Sequence, residues 1–258
     1  MVKKGILLVS FGTAAAEAWE KTLGLLAGEV RESFPDVPVY EAITSPTIRR
    51  MWAKRGWNMP DVPGALEEMV AHGVEAVTVL PTFLIAGMEY QRLVLDCGRR
   101  AERFSSFLLA PPLLDRPQEL VRVAEILLER QGPLPEDTAL VLMGHGTNHR
   151  GDFAYGAMEC VFRELSQPNV FVATVEGYLG LEGLKKRLEE RAPRRVILRP
   201  LLLTAGEHAR SDMAGEDEGS WKNVLTAAGY QVDCVLEGLG ETPVIRQMYL
   251  ERLASPGC

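Results

Sequence analysis

This sequence has no excess of basic residues, no long apolar run, no paired cysteines and very little histidine. Lys and Arg number 28 against 35 Asp and Glu, for a formal net charge of -7. A protein that tracks phosphates usually carries a basic stripe and a high pI, so nucleic acid is not the expected partner and a small molecule fits better. No apolar stretch approaches the roughly 20 residues of a membrane helix. The opening Met1–Lys4 leads only into Gly5–Ser10 and then into small and polar residues without a signal-peptide cleavage pattern. The expectation is a cytoplasmic protein with no membrane partner. Cys97, Cys160, Cys234 and Cys258 are far apart and form no C-x-x-C, which removes a zinc knuckle and a disulfide framework and leaves buried or idle thiols.

What is present is apolar material, 47% of 258 residues, enough to fill one large α/β domain or two small ones. Short runs of Val, Ile and Leu alternate with longer segments of helical period, the pattern of a parallel sheet covered on both faces. Strands are expected at 5–10, 37–43, 76–83 and 106–111, and again at 139–144, 170–175, 195–202 and 231–236. Segments such as "AEAWEKTLGLLAGEVRESF" and "LEGLKKRLEERA" repeat Leu and Val at helical steps.

The two sets of strands read as copies. "LLVSFGT" aligns with "VLMGHGT" at an offset of 134 (Gly12 on Gly146), "LPTFLIAGME" with "RPLLLTAGEH" at 119 (Pro81 on Pro200), and "LLDRPQEL" with "GLGETPVI" at 126 (Pro117 on Pro243). Ordered matches with drifting offsets are what duplication followed by loop-length change leaves behind. The turn-rich "QGPLPED" at 131–137 marks the expected boundary between an N-terminal half, 1–131, and a C-terminal half, 132–258. The expected fold is α/β, two similar doubly wound halves with a cleft between them.

Open parallel sheets bind ligands beyond the carboxyl ends of their strands. In the second half, His145 follows the first strand, Glu176 the second and His208 the third, at spacings of 31 and 32 residues, close to one strand-helix unit. All three side chains are thus expected at one rim. Two imidazoles and a carboxylate suit a divalent transition metal better than magnesium or calcium. Taken singly, a strand-end histidine more often hydrogen-bonds within its loop, and a loop carboxylate is usually just solvated; the shared position is what favours a site. The first half has Phe11, Ser45 and Glu89 at the matching places. Glu89 is the expected proton relay from that half, its plainer reading being an acid in a helix first turn. His72, before Gly73, fits a helix C-terminus, and His149 lies in a Gly-rich loop without the helix that an H-x-x-x-H site needs.

The stretches "KKGILLVSFGT", "ITSPTIRRMWAKRG", "LPTFLIAGMEY", "MGHGTNH", "VATVEG" and "PLLLTAGEHARSDMAGE" together resemble the anaerobic cobalt chelatases of the CbiK type, over essentially the whole chain. The resemblance implies two Rossmann-like halves, each with a four-stranded parallel sheet, and ATP-independent insertion of Co(II) into sirohydrochlorin or precorrin-2 in anaerobic cobalamin synthesis. Co(II) is then a substrate metal, with no organic cofactor. Its metal residues map onto His145, Glu176 and His208; His145 and His208, together with Glu89 from the comparison of the halves, are the expected catalytic set. Because the tetrapyrrole carries carboxylates, the basic "TIRRMWAKRG" is expected to meet it through Arg49, Arg50 and Lys54, and the Ser10, Gly12 and Thr13 turn through backbone N–H groups. Trp52 and Trp57 of the same segment offer apolar contact. The plainer readings are a solvated helix face here and a solvated acidic loop at 215–221. Insertion of iron or nickel into the same ring, and a metal or tetrapyrrole carrier without turnover, share the same ligand set. A phosphohistidine enzyme is disfavoured because Met143 and Gly144, not arginine, precede His145. A symmetric homo-oligomer is the general expectation for a soluble enzyme.

Overall fold

The computed structural model describes residues 2–254, which leaves Cys258 outside the described residues. The chain divides into two compact units: one takes residues up to Leu113 and from Thr242 onward, the other runs Leu114–Glu241.

In the first unit, β1 (Lys4–Ser10) leads through α1 (Ala16–Trp19), a π segment (Glu20–Gly24) and α2 (Leu25–Ser33) to β2 (Val39–Ile43). Then come α3 (Pro46–Lys54), α4 (Val62–Ala71), β3 (Ala76–Pro81), α5 (Met88–Gly98) and β4 (Ser106–Leu109). The second unit opens with α6 (Pro117–Gln131) and β5 (Thr138–Gly144), and continues with α7 (Phe153–Glu164), β6 (Val170–Thr174) and α8 (Leu181–Arg191). It ends with β7 (Arg195–Pro200), α9 (Trp221–Ala227) and β8 (Gln231–Cys234), after which α10 (Pro243–Ala254) belongs to the first unit.

Each unit holds one four-stranded parallel sheet, ordered β2-β1-β3-β4 and β6-β5-β7-β8. The registers are also copies: Ile6 pairs with Val39 as Leu140 does with Val170, and Ala76 with Ser106 as Arg195 does with Gln231. Because register is set by which face is buried, identical register means that the two apolar patterns were inherited together. The structure thus bears out the doubly wound class and all eight strands. Strands β3 and β7 end at Pro81 and Pro200, before the expected 83 and 202. Proline has no N–H to continue a ladder, so the apolar residues after it turn away into the loop.

Both faces of each sheet are covered. In the first unit Leu7, Val9, Val77 and Val79 pack with Leu66 and Met69 of α4 and Leu93 of α5. In the second, Val141, Met143, Val196 and Leu198 pack with Leu184 and Leu188 of α8 and Trp221 and Leu225 of α9. Full burial of each such side chain contributes about 1.5–3 kcal/mol. Helix starts follow from local chemistry: Ser45 caps the Ile48 amide before Pro46, and Asp61 caps Gly64 at 2.9 Å.

The division of the chain departs from a cut at 131/132. Helix α10, the copy of α6 at offset 126 (Pro117 to Pro243), packs on α2 and β3. There the Tyr249 hydroxyl donates to the Thr82 carbonyl, and Arg252 donates to the carbonyls of Pro112 and Leu113 at 3.1 and 3.0 Å. Helix α6 packs on α7 within the second unit. A turn-rich linker marks where the chain bends, but buried contacts decide the unit to which a helix belongs.

Candidate functional site

Strand β5 is buried along its whole length and opens at Gly144 into His145, Gly146 and Thr147. Two features hold this turn. Gly146 has φ +81°, a left-handed backbone that side chains resist, and a Cβ there would be driven into the backbone nitrogen of Gly177. Its counterpart in the first unit, Gly12, has φ +90°. The loop after β6 lies directly alongside, because the Val175 amide donates to Gly144 O at 3.1 Å and the Glu176 amide to His145 O at 2.8 Å. His145 and Glu176 are therefore neighbours through main-chain hydrogen bonds, whatever their side chains do.

Asp152 locks the pair of loops from beneath. It is buried, its Oδ1 accepts from the Thr147 amide at 3.0 Å, and its Oδ2 accepts from the Tyr178 amide at 2.9 Å. One carboxylate thus cross-ties the His145 loop to the Glu176 loop. Below it Tyr155 is wholly enclosed against Gly144, and burial pushes its phenol up to about 12, so it remains a neutral hydroxyl beside the backbone of His145 and Gly146. Asp152→Ala leaves two amides without their charged acceptor, and each such hydrogen bond is worth about 1.5–3 kcal/mol. Urea unfolding is expected to show a loss of roughly 3–6 kcal/mol, the sum over the two.

The third element comes from the loop after β7. His208 enters a π turn, Ala209–Met213, and its Nδ1 lies 2.6 Å from Asp212 Oδ2. The His145 and His208 rings meet edge to face with centroids 4.4 Å apart. Their other hydrogen bonds fix the tautomers. His145 Nδ1 faces the Gly146 carbonyl oxygen at 2.9 Å, and His208 Nδ1 faces a carboxylate. A carbonyl or ionised carboxylate can only accept, so both Nδ1 atoms carry a proton, and in a neutral ring held this way the lone pair falls on Nε2. Imidazole is a ligand type suited to a borderline transition-metal ion, and here two imidazoles lie side by side.

The structure thus brings together His145 and His208, and brings Glu176 to them by its backbone, with an exposed side chain. Among the described residues no group of three or more His, Cys, Asp or Glu side chains is arranged to hold a metal ion. In the first unit Glu89 lies in the first turn of α5 and pairs with Arg92 at 2.6 Å. Arg49 faces Asp61 at 3.4 Å, Arg50 donates to Thr47, and Lys54 is exposed. Trp52 is buried, donates to Thr13 O at 2.8 Å and stacks on the half-exposed Trp57. Ser10 and Thr13 are buried, and Thr13 Oγ1 accepts from the Ala15 amide. His72 caps α4 beside Gly73 and contacts the Tyr40 hydroxyl at 3.0 Å. His149 Nδ1 accepts from the Gly151 amide, a loop role. The described cysteines are free, Cys97 being buried with its thiol pushed up to about 12 by that burial. Sequence reasoning missed Asp152, Tyr155 and Asp212; only the four-residue step from His208 to Asp212 was a readable signal.

A repeated parallel α/β unit with a histidine pair beyond its strands is the architecture that the resemblance to cobalt chelatases implied. In fold, SirB from Bacillus subtilis, solved with Fe3+, matches 99% of this chain and 96% of its own with a TM-score of 0.66 at 15% identity. CbiX, from a study of siroheme synthesis in denitrifying bacteria, matches 97% and 98% with a TM-score of 0.57 at 19% identity. In sequence, the profile of the cobalt chelatase (CbiK) family matches residues 4–256. The sirohydrochlorin cobaltochelatase CbiKC of Nitratidesulfovibrio vulgaris is 37% identical over 99% of this chain and 91% of its own. The sirohydrochlorin cobaltochelatase of Salmonella typhimurium is 33% identical over 98% and 96%. The chain belongs to the CbiK family of cobalt chelatases.

Proposed function

We propose that this enzyme inserts Co(II) into sirohydrochlorin without ATP, as a step of anaerobic cobalamin synthesis. The ring loses two pyrrole protons and four ring nitrogens replace the ion's other ligands. The observation that carries the reading is the adjacency of His145 and His208, with the Nδ1 atom of each ring turned to an acceptor. Two imidazoles hold the ion while leaving positions for incoming ring nitrogens, which a closed four-ligand structural site would deny. Glu176 completes the ligand set by turning its exposed carboxylate toward the ion beside His145, and the pyrrole protons pass to the Glu89 carboxylate or to a histidine Nε2 as the ion leaves it for the ring.

On this reading the basic surface of α3 holds ring carboxylates. Arg50 and Lys54 are the exposed cations there, while Arg49 shares its charge with Asp61. The Ser10–Thr13 turn lies beside the start of α3, since the Ser45 amide donates to Phe11 O. Arg50→Glu with Lys54→Glu is expected to raise KM for sirohydrochlorin about tenfold or more with kcat nearly unchanged, the signature of lost uniform binding. Among the described residues no helix is long and apolar enough to cross a membrane.

Multiple-turnover absorbance with excess sirohydrochlorin and Co(II) tests the function itself. Many equivalents of product per chain are expected; one equivalent would make the protein a carrier. Parallel assays with Fe(II) and Ni(II) decide among metals, which imidazole sites discriminate poorly on affinity alone.

A further inference from the structure

In the first unit the helix after β3 is regular, and Leu93, five residues from its start, is buried in the core. The copy of Leu93 at offset 119 is Asp212, which cannot fill an apolar slot. The second unit solves this with the π turn at Ala209–Met213, where the Ala214 amide reaches back to Ala209 O. A π turn accommodates one extra residue, so Met213 takes the core position, fully buried, and Asp212 swings out to meet the His208 ring. Such single π turns are frequent at functional sites. The two copies therefore differ by one residue of helix register, and that residue delivers a carboxylate to a histidine.

We infer that Asp212 is a positioning residue: it fixes the Nδ1–H tautomer and the ring orientation of His208, and so presents Nε2 to the incoming ion. The inference rests on His208 being a metal ligand. His145 obtains the same tautomer from its own backbone, through the Gly146 carbonyl. Among the described residues no carbonyl faces the His208 ring in this way, and its side chain and that of Asp212 are 39% and 41% exposed, so without the carboxylate the ring is free to turn and to exchange tautomers with water. Other polar groups of the turn are occupied nearby: Ser211 donates to Glu207 at 2.7 Å, and Arg210 Nε donates to Ala205 O. A carboxylate behind a ligating imidazole typically accounts for roughly 10–100-fold in metal affinity.

The test is Co(II) titration calorimetry on the full chain without tetrapyrrole, together with histidine 15N NMR of the metal-free protein. Asp212→Ala is expected to weaken Co(II) binding roughly 10–100-fold, and to move His208 from a single Nδ1–H tautomer to a mixture. Asp212→Asn, whose amide oxygen still accepts from Nδ1–H, is expected to keep the tautomer and lie between the two in affinity, which a merely structural ion pair would not produce. The proposal is overturned if His208→Ala weakens Co(II) binding while Asp212→Ala binds within about twofold of the parent with an unchanged tautomer. If His208→Ala itself leaves affinity unchanged, the failure lies in the metal-site reading and not in the role of Asp212. Asp212→Asn is isosteric and keeps both comparisons available should the alanine variant fold poorly.

Discussion

His145→Ala is expected to remove Co(II) insertion, with kcat/KM falling by on the order of 10²–10⁴-fold, the span a positioned acid–base group contributes by itself. Loss of a ligand as well places the result toward the upper end. The substitution is clean because the imidazole makes one side-chain hydrogen bond, to the neighbouring Gly146 carbonyl. The tie between loops runs through the His145 carbonyl, which alanine keeps. Unfolding free energy should therefore change by no more than about 1 kcal/mol, the worth of one ordinary hydrogen bond. Sirohydrochlorin binding, followed by absorbance in the absence of metal, should be retained. An unchanged insertion rate would remove His145 from the chemistry.

Gly146→Ala should be strongly damaging although it adds a single methyl. Its φ of +81° costs an L-residue roughly 1–2 kcal/mol, and overpacking adds typically 1–3 kcal/mol, for a loss of about 2–5 kcal/mol on unfolding. The new Cβ meets the backbone of Gly177 and lies 2.8 Å from Thr174 Cβ, atoms that cannot rotate away. Relief comes only by parting the β5 and β6 loops, which would separate His145 from Glu176. Insertion activity should fall with stability, even though no ligand has been changed. Gly12→Ala provides the comparison: it has a similar φ, but the added methyl meets side-chain methyls of Ile43 and Ile48 and no backbone atom of a neighbouring loop. The measurement is urea unfolding of both variants with Co(II) affinity alongside. Equal loss in the two would contradict the account, because it would assign the cost to backbone strain alone.

The strands were legible because parallel strands buried on both faces leave apolar runs of the right length, and the duplication was legible because its proline and glycine anchors survive at fixed offsets. The paired registers of β1 and β5 show that those offsets were structural. Assignment of α10 to the first unit was not legible, since the contacts of Arg252 with Pro112 and Leu113 join residues 139 and 140 positions apart. At the site, His145 and His208 could be read from their place after strands, because topology alone carries strand ends to a common rim. Asp152 and Tyr155 could not, because what distinguishes them is burial beneath a loop, and "RGDFAYG" looks like an ordinary helix entry. The π turn was equally hidden: its single extra residue appears only when the core slot of Leu93 is compared with that of Met213.

The central claim is that His145 and His208 offer their Nε2 atoms to one ion. Anomalous diffraction at the cobalt edge, from crystals of the full chain soaked in Co(II), tests it most directly. The account predicts one strong peak within bonding distance of both Nε2 atoms, with a Glu176 carboxylate oxygen as a further ligand. A peak bound by only one of the two histidines, by an Nδ1 atom, or by a different set of side chains would contradict it.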